Sequence, residues 1–282
     1  MPELPEVETI VNDLKKEIVG LFFVDLWTDA ENIIKKNSVS EFTKKIINKK
    51  IINVKRRGKI ILIYLEDGTI LLIHQKISGH LLLGKWKFEE NQWIAPPGPL
   101  KEDPMNKYLH IVINLSDGRQ LSLSDPRKFA KMEIIKDDVI DIGPEPLEID
   151  YETFRELFRK KRGKIKQLLM KQEFIVGIGN IYASEILFLS KIHPEEEVSK
   201  LGEEDFKNIF KNMVFILKES IRLRGDSFSD FRTIYGEKGA FQNIMKVYQK
   251  NGQPCFNCNT KIERINLGGR GTFFCPNCQK KK

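Results

Sequence analysis

All four cysteines of this 282-residue chain lie in its last 28 residues, as Cys255-x-x-Cys258 and Cys275-x-x-Cys278, with 16 residues between the pairs. That spacing fits two knuckles placing four thiolates around one tetrahedral Zn2+, and it is unlike the dispersed cysteines of a disulfide framework. Four protein ligands leave no open position, so the zinc is expected to be structural. Between the pairs, residues 262–267 and 272–274 read as strands around Gly268-Gly269-Arg270-Gly271. The predicted element is a metal-clamped β-hairpin with Arg270 at its tip. Residues 251–282 hold six basic side chains against the single acid Glu263, which suits contact with phosphate.

The opposite end carries a different chemistry. The chain opens Met1-Pro2-Glu3-Leu4-Pro5-Glu6. If Met1 is removed, Pro2 becomes a free secondary amine, and an α-amino group has a reference pKa of about 8. Such an amine can condense with a sugar C1′ to give an iminium, with Glu3 beside it to move protons. Alternatively, Pro2 only marks a processed terminus and the acids decorate a helix start. Val7, Ile10, Val11, Leu14 and Ile18 form one apolar stripe, so residues 5–19 read as a helix. Pro2 would lie at its positive end, a field that disfavours an ammonium.

The 47 Lys+Arg against 39 Asp+Glu leave a net charge of +8, which favours a polyanionic partner without proving one. There is no apolar run long enough to span a membrane and no apolar secretion signal, so a reducing cytoplasm is expected. Short β-branched runs at 51–54, 60–65, 69–73, 81–87, 108–115, 120–123 and 131–135 predict an antiparallel sandwich. The polar, Pro-rich 91–107 reads as an exposed loop. Within the β region, Arg57-Gly58-Lys59 is either a solvated turn or a lysine fixed at a strand start. Asp125-Pro126-Arg127-Lys128-Phe129 is either a turn with Phe129 in the core or an exposed wedge for stacked bases. His74 reads as a core histidine or a site residue.

Gly143-Pro144-Glu145-Pro146 reads as a stiff connector. Beyond it, 152–162, 164–171, 181–189 and 203–224 are helical patterns. Asn180 is placed as an N-cap, and Gly177-Ile178-Gly179 before it as a source of backbone N–H groups for a phosphate, with Arg162, Lys164 and Lys166 nearby. Residues 225–245 are long for a loop, a length that is functional or disordered. The domains are therefore expected at 1–136 (β-sandwich with N-terminal helix), 137–151 (linker), 152–250 (helical) and 251–282 (zinc finger).

Taken in order, Pro2-Glu3-Leu4-Pro5-Glu6-Val7-Glu8, Arg57-Gly58-Lys59, Asp125–Phe129, Gly143–Leu147, Gly177–Ala183 and Gly268–Thr272 resemble the bacterial formamidopyrimidine-DNA glycosylase family over nearly the whole chain. The resemblance implies an α+β fold: an N-terminal helix and antiparallel β-sandwich, then a helix–two-turn–helix domain with the zinc-finger hairpin. It implies base-excision repair of oxidised purines through a Pro2 Schiff base followed by β,δ-elimination. Pro2 would be the nucleophile and Glu3 the general acid. Lys59 would serve the first elimination and Arg270 the second. Arg127, Phe129 and Ile77 would fill the vacated duplex. His74, Tyr108, Arg162, Lys166 and Asn180 would contact DNA, and the loop at 225–242 would cap the lesion. The implied partner is damaged double-stranded DNA, bound by a monomer in the bacterial cytoplasm or nucleoid.

Two departures stand out. The family's usual Met in the His-x-x-Met-x-Gly context is the stiffer, β-branched Ile77, which predicts altered opposite-base tolerance, restored by Ile77→Met. The usual His-x-His pair is Tyr108-Leu109-His110. An endonuclease VIII-like enzyme for oxidised pyrimidines and a non-catalytic damaged-DNA-binding relative are the alternatives. Retention of Met1 would block the nucleophile in any of them.

Overall fold

The computed structural model describes residues 1–228 and 230–282. They form two compact units, Met1–Ile140 with Leu223–Gln242, and Asp141–Arg222 with Asn243–Lys282.

The first unit runs α1 (Leu4–Glu17), β1 (Phe23–Thr28), β2 (Ile34–Lys35), α2 (Val39–Ile46), β3 (Ile51–Arg57), β4 (Ile60–Leu65), β5 (Ile70–His74), β6 (His80–Gly84), β7 (Lys87–Glu89), β8 (Gln92–Ile94), α3 (Pro99–Glu102), β9 (Leu109–Leu115), β10 (Gln120–Ser124) and β11 (Lys131–Ile135). One sheet is ordered β1-β9-β10-β6 and the other β2-β11-β5-β4-β3. Every pairing is antiparallel except β2 with β11. Alternation places Ile61, Ile63, Leu71 and Ile73 of one sheet and Leu81, Leu83, Ile111, Ile113, Leu121 and Leu123 of the other in one core. The predicted sandwich is thus present. The α1 stripe Val7, Ile10, Val11, Leu14 and Ile18 joins the same core. Each such side chain stabilises the fold by about 1.5–3 kcal/mol relative to exposure.

Three elements differ from expectation. Residues 91–107 are no simple loop: β7 and β8 pair as a hairpin, and α3 follows. The run at 81–87 breaks at Gly84, where a Cβ would lie 2.4 Å from a Leu100 methyl. Leu223–Gln242, expected within the helical domain, clusters instead with the first unit. Its Phe231 and Ile234 are buried in the sandwich core, and Leu83 N–H donates to the Ile234 carbonyl at 2.7 Å.

The second unit holds α4 (Tyr151–Phe158), α5 (Ile165–Leu169), α6 (Asn180–Leu189), α7 (Glu203–Arg222) and a hairpin of β12 (Glu263–Leu267) with β13 (Arg270–Phe274). An aromatic core of Phe154, Phe158, Phe174 and Phe206 packs with ring centroids 4.8–5.3 Å apart. The turns between α5 and α6 are fastened by Gln172. Its amide donates to the Met170 and Ile178 carbonyls and accepts from Gly177 N–H at 2.9 Å.

Candidate active site

Glu3 is the N-cap of α1, and Pro2 precedes it; both are buried. Glu6, only 1% exposed, is a two-way clamp. One carboxylate oxygen accepts from Glu3 N–H at 2.8 Å and the other from Asp226 N–H at 2.7 Å. Gly225, with φ +83°, lets the chain pass this clamp, because a Cβ there would sit 3.0 Å from the Glu6 side chain. Farther along α1, Asp13 holds Arg224 through two hydrogen bonds of 2.6 and 3.2 Å, and Glu17 accepts from Tyr235 at 3.0 Å. One face of α1 therefore receives the returning segment at three successive carboxylates.

Lys59 lies in the two-residue turn between β3 and β4. Its neighbour Gly58 has φ +57°, a left-handed conformation that favours glycine. Lys59 is 7% exposed, so the solvated-turn reading fails. Arg56 fixes that turn. It donates to the Gly58 carbonyl at 3.1 Å and pairs with Glu8 of α1 at 2.6 Å. The N-terminal helix and the lysine turn are thus tied by one ion pair. His74 also feels the Lys59 charge. Burial first, then Lys76, Lys59 and Lys131, push its pKa down to about 4. Its Nδ1 accepts from Lys76 N–H at 3.0 Å, which leaves the neutral ring's proton on Nε2 as a donor.

The turn at residues 125–129 does not fold Phe129 into the core. Phe129 is 49% exposed, and the Arg127 guanidinium lies 4.8 Å over its ring. Ile77, on a separate loop, is 41% exposed. Both loops hang from Asp125, which is fully buried. Its carboxylate accepts from Ser78 Oγ at 2.6 Å, Ala130 N–H at 2.8 Å and Arg127 N–H at 3.2 Å. Sequence reading quoted Asp125 but gave it no role. An Asp directly before Pro at the start of a turn was the available signal; the Ser78 hydroxyl that reaches it from the other loop was not.

In the second unit the expected Asn180 N-cap is corrected. Gly179 is the N-cap, and Asn180 is the first helical residue. Its side chain accepts from Lys166 Nζ at 2.7 Å and donates to the Gly271 carbonyl at 3.0 Å. Lys166 is 1% exposed and also donates to Thr272 Oγ1 at 2.7 Å. Rather than reaching into solvent, it joins α5, α6 and the β12–β13 hairpin. The Gly177 N–H, expected for a phosphate, is taken by Gln172. Arg162 is exposed, and Arg270, also exposed, opens β13 immediately after the Gly268-Gly269 turn. A cavity of about 210 Å³ separates Lys166 and Gln167 from Gly268 and Arg270. Glu185, which sequence reading missed, accepts from the N–H groups of Lys246, Val247 and Tyr248 at 2.8–3.0 Å. It fixes the chain entering the zinc finger to α6.

The four cysteine sulfurs lie within 4.8 Å of one another. The Cys255–Cys278, Cys258–Cys275 and Cys258–Cys278 sulfur separations of 3.5–3.9 Å match the edge of a tetrahedron of Zn–S bonds about 2.3 Å long. Asn257 and Cys278 N–H groups donate to Cys255 and Cys275 sulfur, supporting the thiolates. The donor set fits one structural Zn2+. Tyr108 is 37% exposed. In the segment matched to a lesion cap, Ser229 lies outside the described residues; Phe228 beside it is 53% exposed.

Family comparison covers all of these regions. The formamidopyrimidine-DNA glycosylase N-terminal domain matches residues 1–132, the formamidopyrimidine-DNA glycosylase H2TH domain residues 142–232, and the zinc finger found in FPG and IleRS residues 252–281. A formamidopyrimidine-DNA glycosylase of Pelotomaculum thermopropionicum is 35% identical across the full length of both chains. Among solved structures, the Lactococcus lactis Fpg bound to DNA containing an abasic site superposes with a TM-score of 0.85 at 34% identity, covering 99% of this chain and 100% of that one. MutM in complex with DNA containing carbocyclic 8-oxo-G gives the same four values.

Proposed function

The chain belongs to the formamidopyrimidine-DNA glycosylase family, and on that premise we propose how its own residues perform the family's chemistry. It is a DNA glycosylase of base excision repair with abasic-site lyase activity. With Met1 removed, the Pro2 nitrogen attacks C1′ of a damaged purine nucleotide turned out of the duplex. The N–C1′ bond forms as the glycosidic bond breaks, and Glu3 supplies the proton the leaving group needs. The freed Pro2 nitrogen lies at the start of α1, and its lone pair is the attacking group. The sugar ring then opens: the C1′–O4′ bond breaks as Glu3 protonates O4′, and the nitrogen lone pair forms the iminium that acidifies C2′. Lys59 moves the proton of the first elimination, which expels the 3′ phosphate, and Arg270 serves the second, which expels the 5′ phosphate.

Arg127, Phe129 and Ile77 fill the emptied stack. His74, as a neutral Nε2 donor, joins Tyr108, Arg162 and Asn180 along the strand, with the Lys166 charge beneath Asn180. The unit of residues 1–140 with 223–242 carries the chemistry and the lesion cap, residues 141–222 with 243–250 hold the duplex, and 251–282 form the finger. We take the enzyme to act as a monomer in the bacterial cytoplasm or nucleoid; no helix among the described residues is long and apolar enough to cross a membrane.

The observation that carries this reading is the N-terminal turn: Pro2 and Glu3 are buried at the start of a helix whose Glu8 holds the lysine turn through Arg56. Borohydride trapping tests it, using duplexes with 8-oxoguanine or thymine glycol, with Pro2→Gly alongside. A covalent band on the 8-oxoguanine duplex that is lost in the variant is expected. No band from protein shown by intact mass to lack Met1 would defeat the amine mechanism, and a band confined to thymine glycol would move the substrate to pyrimidines.

A further inference from the structure

The first unit carries an aromatic cleft that the glycosylase chemistry does not use. Trp27 on β1 meets Phe88 and Trp93, which face each other across the β7–β8 hairpin. The ring centroids are 5.0–5.8 Å apart. Phe88 remains 47% exposed. Beside this cluster is a cavity of about 310 Å³, lined by Trp27, Trp93, Tyr108, Lys107 and the hairpin amides Asn91 and Gln92. The Trp93 indole N–H is buried without a hydrogen-bond partner among the described residues. Glu90 and Asn91, both at positive φ, form the two-residue turn that holds the amides at the rim.

From this composition we propose that the cleft is a subsite for an unpaired nucleobase of a DNA strand. Ring surfaces offer stacking to any base, the two carboxamides offer donor and acceptor together, and Lys107 offers charge to the adjoining phosphate. An apolar peptide would use the rings but not the amides or the ammonium. The subsite is also continuous with the proposed DNA-contacting loop, and in that respect the inference rests on the DNA-binding reading. Asp29, at the cleft wall, pairs with His110 at 2.7 Å and reaches Lys128 of the wedge loop at 3.8 Å. The Tyr108 carbonyl accepts from Asp125 N–H at 2.9 Å. One carboxylate and one backbone bond thus connect the cleft to the loop bearing Arg127 and Phe129.

The test uses the full-length zinc-loaded protein with a single-stranded oligothymidylate, and a lesion duplex as the parallel control. Photocrosslinking with 5-iododeoxyuridine in the oligonucleotide is expected to label Trp27 or Trp93. Trp93→Ala, which removes no charge, is expected to weaken oligothymidylate binding about fivefold or more, with Trp93→Phe recovering most of it. Lesion-duplex incision should stay within about twofold in both variants. Crosslinks confined to other residues, or single-strand affinity unchanged in Trp93→Ala, would overturn the subsite. Should Trp93→Ala misfold, the wild-type crosslink map still decides. Failure of the wild type to bind or cut the lesion duplex would instead strike the DNA-repair reading, so the two failures are distinguishable.

Discussion

At the residue scale, buried polar groups separate those that organise the site from those that only strain it. Asp125 and Glu6 each accept at least two hydrogen bonds and each join two segments of chain. Gln75 does neither. It is 1% exposed, and both atoms of its amide lack a partner among the described residues. An unsatisfied buried amide costs about 1–3 kcal/mol, and an apolar group of similar shape removes that cost. Gln75→Leu is therefore expected to stabilise the protein by about 1–2 kcal/mol, read from the denaturant midpoint of the first unit. A lower midpoint would mean that the amide is satisfied in solution, for example by enclosed water. The sequence offered Gln75 only as a member of a pattern, because hydrogen-bond satisfaction depends on which chain segments arrive around it.

At the scale of elements, legibility followed periodicity. The α1 stripe was readable because its burial repeats along a single element, and the β4 and β11 runs because they are short apolar, β-branched stretches. β1 was not. It is an edge strand with the burial pattern buried-exposed-exposed followed by three half-buried residues, partly because Trp27 is covered by a hairpin from elsewhere. β2 is two residues long and has no period to read. α2 carried a legible start, Ser38 with Glu41 three residues later, and that capping box is present. The cysteine cluster was legible as a local motif, and so were the buried Pro2-Glu3 start of α1 and the Lys59 turn on which the proposed chemistry rests. The Lys166–Asn180–Thr272 hub was not, since it joins residues about a hundred positions apart. The zinc hairpin gives a prediction at this scale. Chelation of the metal should make residues 251–282 protease-sensitive and weaken lesion-duplex binding about tenfold or more, because a thiolate cluster without its ion loses its main folding energy. The circular dichroism of the sandwich should persist. Duplex affinity unchanged after complete zinc loss would exclude the finger from DNA binding.

At the scale of the whole molecule, stability should fall in mild acid. Burial pushes both His74 and His80 down to about 4, against about 6.5 in an unfolded chain. Between those values the unfolded chain binds protons that the folded chain refuses, so stability rises with pH across this window. The contribution is complete above about pH 6.5 and is lost as pH falls toward 4. Denaturant midpoints measured from pH 4.5 to 7.5 should show the slope, and His80→Gln should flatten it; an equal slope in the variant would remove His80 from the account. The division into units carries a consequence for biosynthesis. Phe231 and Ile234 complete a core otherwise built from residues before Ile140, and they are made after most of the helical unit. A ribosome-bound chain with only the sandwich emerged would hold an unfinished core, exposed to chaperones until residue 242 clears the exit. The proposed nucleophile and its neighbours, although the first residues synthesised, would then reach their final setting among the last.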